Sequence, residues 1–206
     1  MTTDSPRNLT TLFLAGTGGH LAELDSLAGR IPPNGASVWA THANEQSRVV
    51  VTVGAATEYP FRRLFEHVVP LLAPQGALAQ VTGCGVQVLW QTGDTPVEDL
   101  EIQATPVLPA AELAAALRQA DIVISHAGTG SALAALNAGR YPILAIRDRA
   151  HGEQIDDHQQ QLATELDRRG LALCRDAHCI TIEDMLTTLH TSIRRTASPP
   201  PFELRH

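Results

Sequence analysis

Residues 121–142 read DIVISHAGTGSALAALNAGRYP, and their pattern decides the fold. The apolar run Ile122-Val123-Ile124 stops at Ser125 and passes through His126-Ala127-Gly128-Thr129-Gly130-Ser131. An alanine- and leucine-rich segment follows and ends at Gly139. A short continuous apolar run predicts a buried strand, and the segment after the loop predicts a helix with a glycine stop. A glycine loop at such a junction aims backbone N–H groups and the positive end of a helix dipole at one point, which suits a phosphate. The same loop also fits a plain strand-to-helix connection with Thr129 or Ser131 as the cap. It lacks both the Gly-Lys-Ser/Thr ending of a Walker loop and the G-x-G-x-x-G dinucleotide spacing, so NAD-binding and ATP-cleaving readings lose ground.

Outward from this stretch, strands alternate with helices. Thr11–Ala15 and Ser37–Thr41 read as strands around a helix from Leu21 to Arg30, which Pro32-Pro33-Asn34-Gly35 breaks. A strand over Val49–Val53 ends at Gly54, and a helix runs from about Pro60 to Leu72. Strands follow at Val86–Gln91 and Ile102–Val107, then a helix over Ala110–Gln119. Beyond Pro142 the pattern gives a strand at Ile143–Ile146, a helix over Ile155–Arg169 closed by Gly170, a strand at Leu171–Cys174 and a helix over Ile182–Arg195. This alternation predicts an α/β, Rossmann-like fold: a mostly parallel sheet with helices on both faces. The expected division is a strand-helix-strand segment over 1–48, a main domain over 49–197 and a loose tail over 198–206.

The 206 residues are 44% hydrophobic and 18% charged, ordinary for a globular protein. A net charge of −7 argues against a broad nucleic-acid surface but not against a local phosphate site. Three cysteines are too few for a disulfide framework and fit a reducing cytoplasm. Cys174, His178 and Cys179 lie close in sequence, yet without a fourth ligand or regular zinc spacing no metal is expected. No secretory signal is visible, and no apolar run approaches the ~20 residues of a membrane span. Any membrane contact is expected to be peripheral or through a partner.

Two further clusters carry chemistry. Residues 147–161, RDRAHGEQIDDHQQQ, follow a strand and enter a helix. They therefore sit at the carboxyl edge of the sheet, where open α/β folds bind ligands. Four amide side chains beside His158 make a hydrogen-bonding surface suited to sugar hydroxyls. A solvated helix start is the competing reading, and for Asp156 the better one. Gly16-Thr17-Gly18-Gly19-His20 is the other cluster. Its glycines free the backbone to approach a ligand, and His20 either caps a helix or serves as a general base.

Taken together, His126-Ala127-Gly128-Thr129-Gly130-Ser131 and Asp157-His158-Gln159 resemble the carboxyl-terminal donor domain of family 28-type glycosyltransferases. Among these the chain is most similar to small bacterial exopolysaccharide and eukaryotic dolichol-linked N-acetylglucosaminyl transferases. Val51-Thr52-Val53-Gly54 with Phe61 matches the start of that domain, and Gly152-Glu153-Gln154-Ile155-Asp156-Asp157-His158-Gln159 the bacterial version. Residues 11–27, through Gly16-Thr17-Gly18-Gly19-His20-Leu21-Ala22-Glu23-Leu24, resemble the start of the acceptor-side domain. The resemblance implies half of a GT-B architecture, with a nucleotide-diphosphate sugar, UDP-linked, as donor. It implies donor contacts at Gly54, His126, Gly128, Thr129, Gly130, Ser131, Asp157, His158 and Gln159. An acceptor-side loop of Gly16, Gly18 and Gly19 is implied as well, with His20 near the acceptor hydroxyl.

The expected activity is hexosyl transfer, with N-acetylglucosamine as the sugar, to a lipid-linked or polysaccharide acceptor. No metal or other cofactor is expected. The alternative is a non-catalytic nucleotide-sugar binding subunit that works with a membrane-anchored partner or as a homodimer. The expected location is cytoplasmic, at the inner face of a membrane. An epimerase of the same architecture is disfavoured because it needs two full domains. Two departures from the family stand out. Ala134 occupies the position where the family often has a ribose-holding glutamate, and the acceptor-side part is cut short.

Overall fold

A computed structural model describes residues 11–15, 37–41, 46–55, 59–153 and 158–194. In chain order the first elements are β1 (Thr11–Ala15), β2 (Ser37–Thr41), β3 (Gln46–Thr52), α1 (Arg62–Leu72), α2 (Ala77–Thr82), β4 (Gly85–Gln91) and β5 (Ala104–Thr105). They are followed by α3 (Ala110–Gln119), β6 (Ile122–His126), α4 (Thr129–Asn137), β7 (Ile143–Ile146), α5 (His158–Arg168), β8 (Leu173–Asp176) and α6 (Ile182–Leu189). Single 3-10 turns occupy Arg149–His151 and Ala177–Cys179.

The chain divides into two compact units, residues 1–47 with 70–87, and residues 48–69 with 88–206. In the first unit β1 and β2 pair in parallel, Thr11 opposite Ser37 and Ala15 opposite Thr41. The Gly16–His20 loop and the helix expected over 21–30 lie outside the described residues, as does the tail.

The second unit holds most of a six-stranded sheet in the order β5-β4-β3-β6-β7-β8. Counted from β3, this is the 3-2-1-4-5-6 order of a doubly wound fold, whose direction reverses between β3 and β6. Val49 pairs with Ile122 and Thr52 with Ser125 across that central step. Val49, Val50 and Val51 on β3, and Ile122, Val123 and Ile124 on β6, are all buried. Central parallel strands covered on both faces take this unbroken apolar form. Leu117, Ala120 and Ala135 bring α3 and α4 onto Val50 and Val123. A second cluster of Ala127, Ala132, Leu144, Ala163 and Ala172 seats α5, with Leu162 and Leu166 half-buried at its border.

Several boundaries differ from the sequence expectation, each for a local reason. The strand expected over 102–107 shrinks to β5, because its edge is spent on two bonds, Thr92 N–H to the Thr105 carbonyl and Gly93 N–H to the Pro106 carbonyl. The last strand starts at Leu173 rather than Leu171, since Leu171 N–H closes α5 onto the Leu166 carbonyl. The last helix stops at Leu189 instead of continuing to 195. Beyond it Ile193 N–H bonds the Gly139 carbonyl, and Ser192 bridges Arg140. Helix α2 has no counterpart among the expected elements.

Candidate functional site

Ligands of doubly wound sheets sit beyond the carboxyl ends of the strands at the point of reversal. Here that point is framed by the chain leaving β3 through Gly54 and the chain leaving β6 through Gly128. Between them stands the imidazole of His126, the last residue of β6, which pairs with Ala145 of β7. A carbon built on Gly54 would lie 2.9 Å from His126 Cε1, and one on Gly128 would lie inside contact of Nε2. Gly54 also has φ +75°, a conformation other residues rarely adopt. It is held there by its N–H, which donates to Thr52 Oγ1 at 3.2 Å. The Thr52 hydroxyl donates in turn to Gln91 Oε1 at 2.7 Å. The end of β4 thus braces the turn after β3.

Burial, and after it the positive charge of Arg147, push the His126 imidazole down to about 4, while a backbone contact at Thr52 pulls weakly the other way. His126 is therefore neutral at physiological pH. Its buried Nδ1 makes no hydrogen bond of ordinary geometry among the described residues.

Helix α4 begins immediately beyond. Gly128 is its N-cap, and no side chain caps it, so the reading of Thr129 or Ser131 as a cap does not hold. The Gly128 carbonyl accepts from Ala132 N–H at 3.0 Å, which leaves the N–H groups of Thr129, Gly130 and Ser131 ahead of the first turn of bonds. Thr129 and Gly130 are exposed, and a carbon on Gly130 would meet nothing within 4 Å. An uncapped helix start with open space before it is a suitable seat for an anion. Ala134, one turn further on, packs against the α3 side of the core.

The loop after β7 is anchored from beneath. Glu153 is 3% exposed and takes a two-pronged pair from Arg63, Nε to Oε1 at 3.1 Å and Nη2 to Oε2 at 2.9 Å. The second oxygen also accepts Asp148 N–H at 2.8 Å. Arg63 reaches further, to Asp176 Oδ1 at 2.7 Å. Arg147 lies over the Phe61 ring, 5.0 Å from its centre, and donates to the carbonyls of Tyr59, Glu153 and Val53. Two buried arginines and a buried glutamate thus hold together α1, the loop after β7 and the end of β8. Sequence reasoning placed Arg147 and Glu153 in the polar cluster without a role and passed over Arg63. The only available signal was two arginines and a glutamate flanking apolar elements.

Of the residues expected at the donor site, the structure brings Gly54, His126, Gly128, Thr129, Gly130 and Ser131 to the ends of β3 and β6. Gln159 lies in the first turn of α5 with a buried Oε1 that has no partner among the described residues. His158 opens that helix, and Asp157 lies outside the described residues, as do Gly16, Gly18, Gly19 and His20. Among the described residues no three histidine, cysteine or acidic side chains group as metal ligands. The Cys174 thiol is pushed up to about 11, chiefly by burial. No helix among them is long and apolar enough to cross a membrane.

The fold is shared with known proteins. Residues 48–202 match the glycosyltransferase family 28 C-terminal domain. A 58-residue stretch is 41% identical to the UDP-N-acetylglucosamine transferase subunit ALG13 of Yarrowia lipolytica, covering 28% of each chain. A 76-residue stretch is 34% identical to the subunit of the same name in Mus musculus, covering 35% of this chain and 6% of that protein. The chain therefore spans only a minor part of these curated relatives. Among solved structures, Acinetobacter baumannii MurG matches with a TM-score of 0.52 at 20% identity, over 89% of this chain and 58% of that one. The calicheamicin glycosyltransferase CalG4 matches with a TM-score of 0.52 at 15% identity, over 79% and 42%. At such identities the likeness is one of fold, that of GT-B glycosyltransferases. With its doubly wound sheet and the match over residues 48–202, the chain belongs to the glycosyltransferase family 28 C-terminal domain family.

Proposed function

We propose that this chain binds a nucleotide-diphosphate sugar at the carboxyl ends of β3 and β6 and transfers the sugar to a lipid-linked or polysaccharide acceptor. The observation that carries this reading is the uncapped start of α4 at the reversal of strand order, beside a neutral imidazole. The diphosphate would lie against the N–H groups of Thr129, Gly130 and Ser131, and the sugar toward Asp157, His158 and Gln159. In the transfer step the bond from the anomeric carbon to the diphosphate oxygen breaks while the acceptor oxygen bonds that carbon. The proton of the acceptor hydroxyl passes to His20. Negative charge grows on the departing diphosphate, where the N-terminal dipole of α4 is most favourable. The relatives' names favour UDP-N-acetylglucosamine as donor. Residues 1–48 would supply the acceptor-side segment.

A second reading is that the chain binds the donor but needs a membrane-associated partner for catalysis, at the cytoplasmic face of a membrane. The word "subunit" in the names of both curated relatives favours it. Ala134 points the same way, because it leaves the ribose without the acid the family often provides. Calorimetric titration with UDP and UDP-N-acetylglucosamine, followed by incubation of the chain alone with labelled donor and a polyprenol-linked acceptor, separates the two. Transfer or donor hydrolysis by the chain alone excludes the binding-subunit reading, and donor binding without either supports it. Absence of binding to every nucleoside diphosphate tried removes both.

A further inference from the structure

We propose that Arg147 is a positioning residue that ties the two loops of the donor site together and supplies the site with a fixed positive charge. The inference rests on the donor-site reading above. Arg147 is 3% exposed and stands at the end of β7, next to the strand that carries His126. Its Nη1 donates to the Tyr59 carbonyl and, at 3.0 Å, to the Glu153 carbonyl, while Nη2 reaches the Val53 carbonyl at 3.4 Å. Val53 and Tyr59 flank the loop after β3 that contains Gly54, and Glu153 belongs to the loop that leads to His158 and Gln159. One planar fork thus spans both ligand-facing loops. The Phe61 ring beneath it fixes the plane. A lysine carries the same charge on a single nitrogen and cannot reproduce the fork.

The charge is also felt inside the glycine pocket. Second to burial, it disfavours the protonated form of the His126 imidazole, which stands between Gly54 and Gly128. The guanidinium is held in place by its three carbonyl partners, so a diphosphate arriving at α4 would meet a charge already oriented.

The test compares the wild type with Arg147→Gln, which keeps an N–H donor but no charge, and Arg147→Lys, which keeps the charge but not the fork. Two readouts are needed. Calorimetry with UDP reports the site, and the titration of the His126 ring proton by NMR, assigned with His126→Gln, reports the field without any ligand. For Arg147→Gln the expected result is UDP binding weakened about tenfold or more, with His126 titrating at higher pH than in the wild type. Arg147→Lys should keep the low His126 titration and bind UDP at an affinity between the other two. UDP binding by Arg147→Gln within about twofold of the wild type overturns the proposal, and so does an unmoved His126. If Arg147→Gln does not fold, Arg147→Lys decides. Wild-type UDP affinity in that variant shows the fork to be dispensable and overturns the tie, whereas weakened binding upholds it. A wild type that binds no UDP defeats the donor reading instead, while the His126 titration still tests the field.

Discussion

A side-chain carbon at Gly128 would fall inside contact of Nε2 of His126, two residues upstream, so the ring and the absence of a side chain at 128 form a matched pair. A side chain here would have to displace the protein's own imidazole, before any ligand is considered. Gly128→Ala should cost about 1–3 kcal/mol in denaturant unfolding, as overpacking does. In a His126→Ala background the same change should cost clearly less, with a coupling of about 0.5–3 kcal/mol. Strict additivity of the two substitutions would show that ring and glycine do not meet.

Gly130 is the opposite case. Nothing stands within 4 Å of a carbon there, so the fold makes no demand for glycine. Gly130→Ala should leave stability unchanged or raise it by up to about 1 kcal/mol through helix propensity. If the diphosphate packs against this turn, the added methyl should weaken UDP binding several-fold. A variant that is at least as stable and binds UDP as tightly as the wild type would move the diphosphate away from α4.

The neutral His126 makes stability depend on pH. Its ordinary value of 6.5 drops to about 4 in the folded chain, so below 6.5 the unfolded chain takes up a proton that the folded chain refuses. Folded stability is then fully present above pH 6.5 and falls as pH drops toward about 4, by up to about 3 kcal/mol from this one group. His126→Gln should flatten that part of the profile in urea unfolding between pH 6.5 and 4. A profile with the same slope in both proteins would refute the assignment.

Glu153 is buried against Arg63, and removing its charge leaves Arg63 with only the more exposed Asp176 as counter-ion. Glu153→Gln should lower unfolding stability by about 1–3 kcal/mol, less than for a charge left wholly unpaired. Replacing both partners with apolar residues of like size should cost less than the single change. Equal stability of Glu153→Gln and the wild type would make the network ornamental.

His20 offers a test of the chemistry. His20→Ala is expected to lower turnover while leaving calorimetric donor affinity unchanged. Loss of donor binding in that variant would exclude the base role.

The sheet was legible in the sequence because its central strands carry unbroken apolar runs, Val49–Val51 and Ile122–Ile124, each followed by a glycine-bearing loop. Strand ends were less legible wherever backbone bonds to distant residues decide them, as with Leu171 on Leu166 and Ile193 on Gly139. At the site, the spacing His126-Ala127-Gly128-Thr129-Gly130-Ser131 announced a helix start but not why two of its neighbours must be glycine. That reason lies in the pairing of Thr52 with Ser125, which sets Gly54 against the His126 ring. Arg63, Arg147 and Glu153 were not legible as a unit. Their partners are up to 113 residues apart, and charged residues next to apolar elements read as surface until the fold buries them.

The ties around the site also set when it comes into being. β3 meets β6 across 73 residues at Val49 and Ile122, and Arg63 waits for Glu153 90 residues on and for Asp176 113 residues on. Such pairings are slow to close, because the entropy of bringing distant segments together is spent before the contacts repay it. During synthesis the Arg63 ties cannot all form until the chain past Asp176 is free to fold. Until β6 arrives, Val49, Val50 and Val51 of β3 lack the strand they pair with, so a partly made chain exposes an unpaired apolar strand.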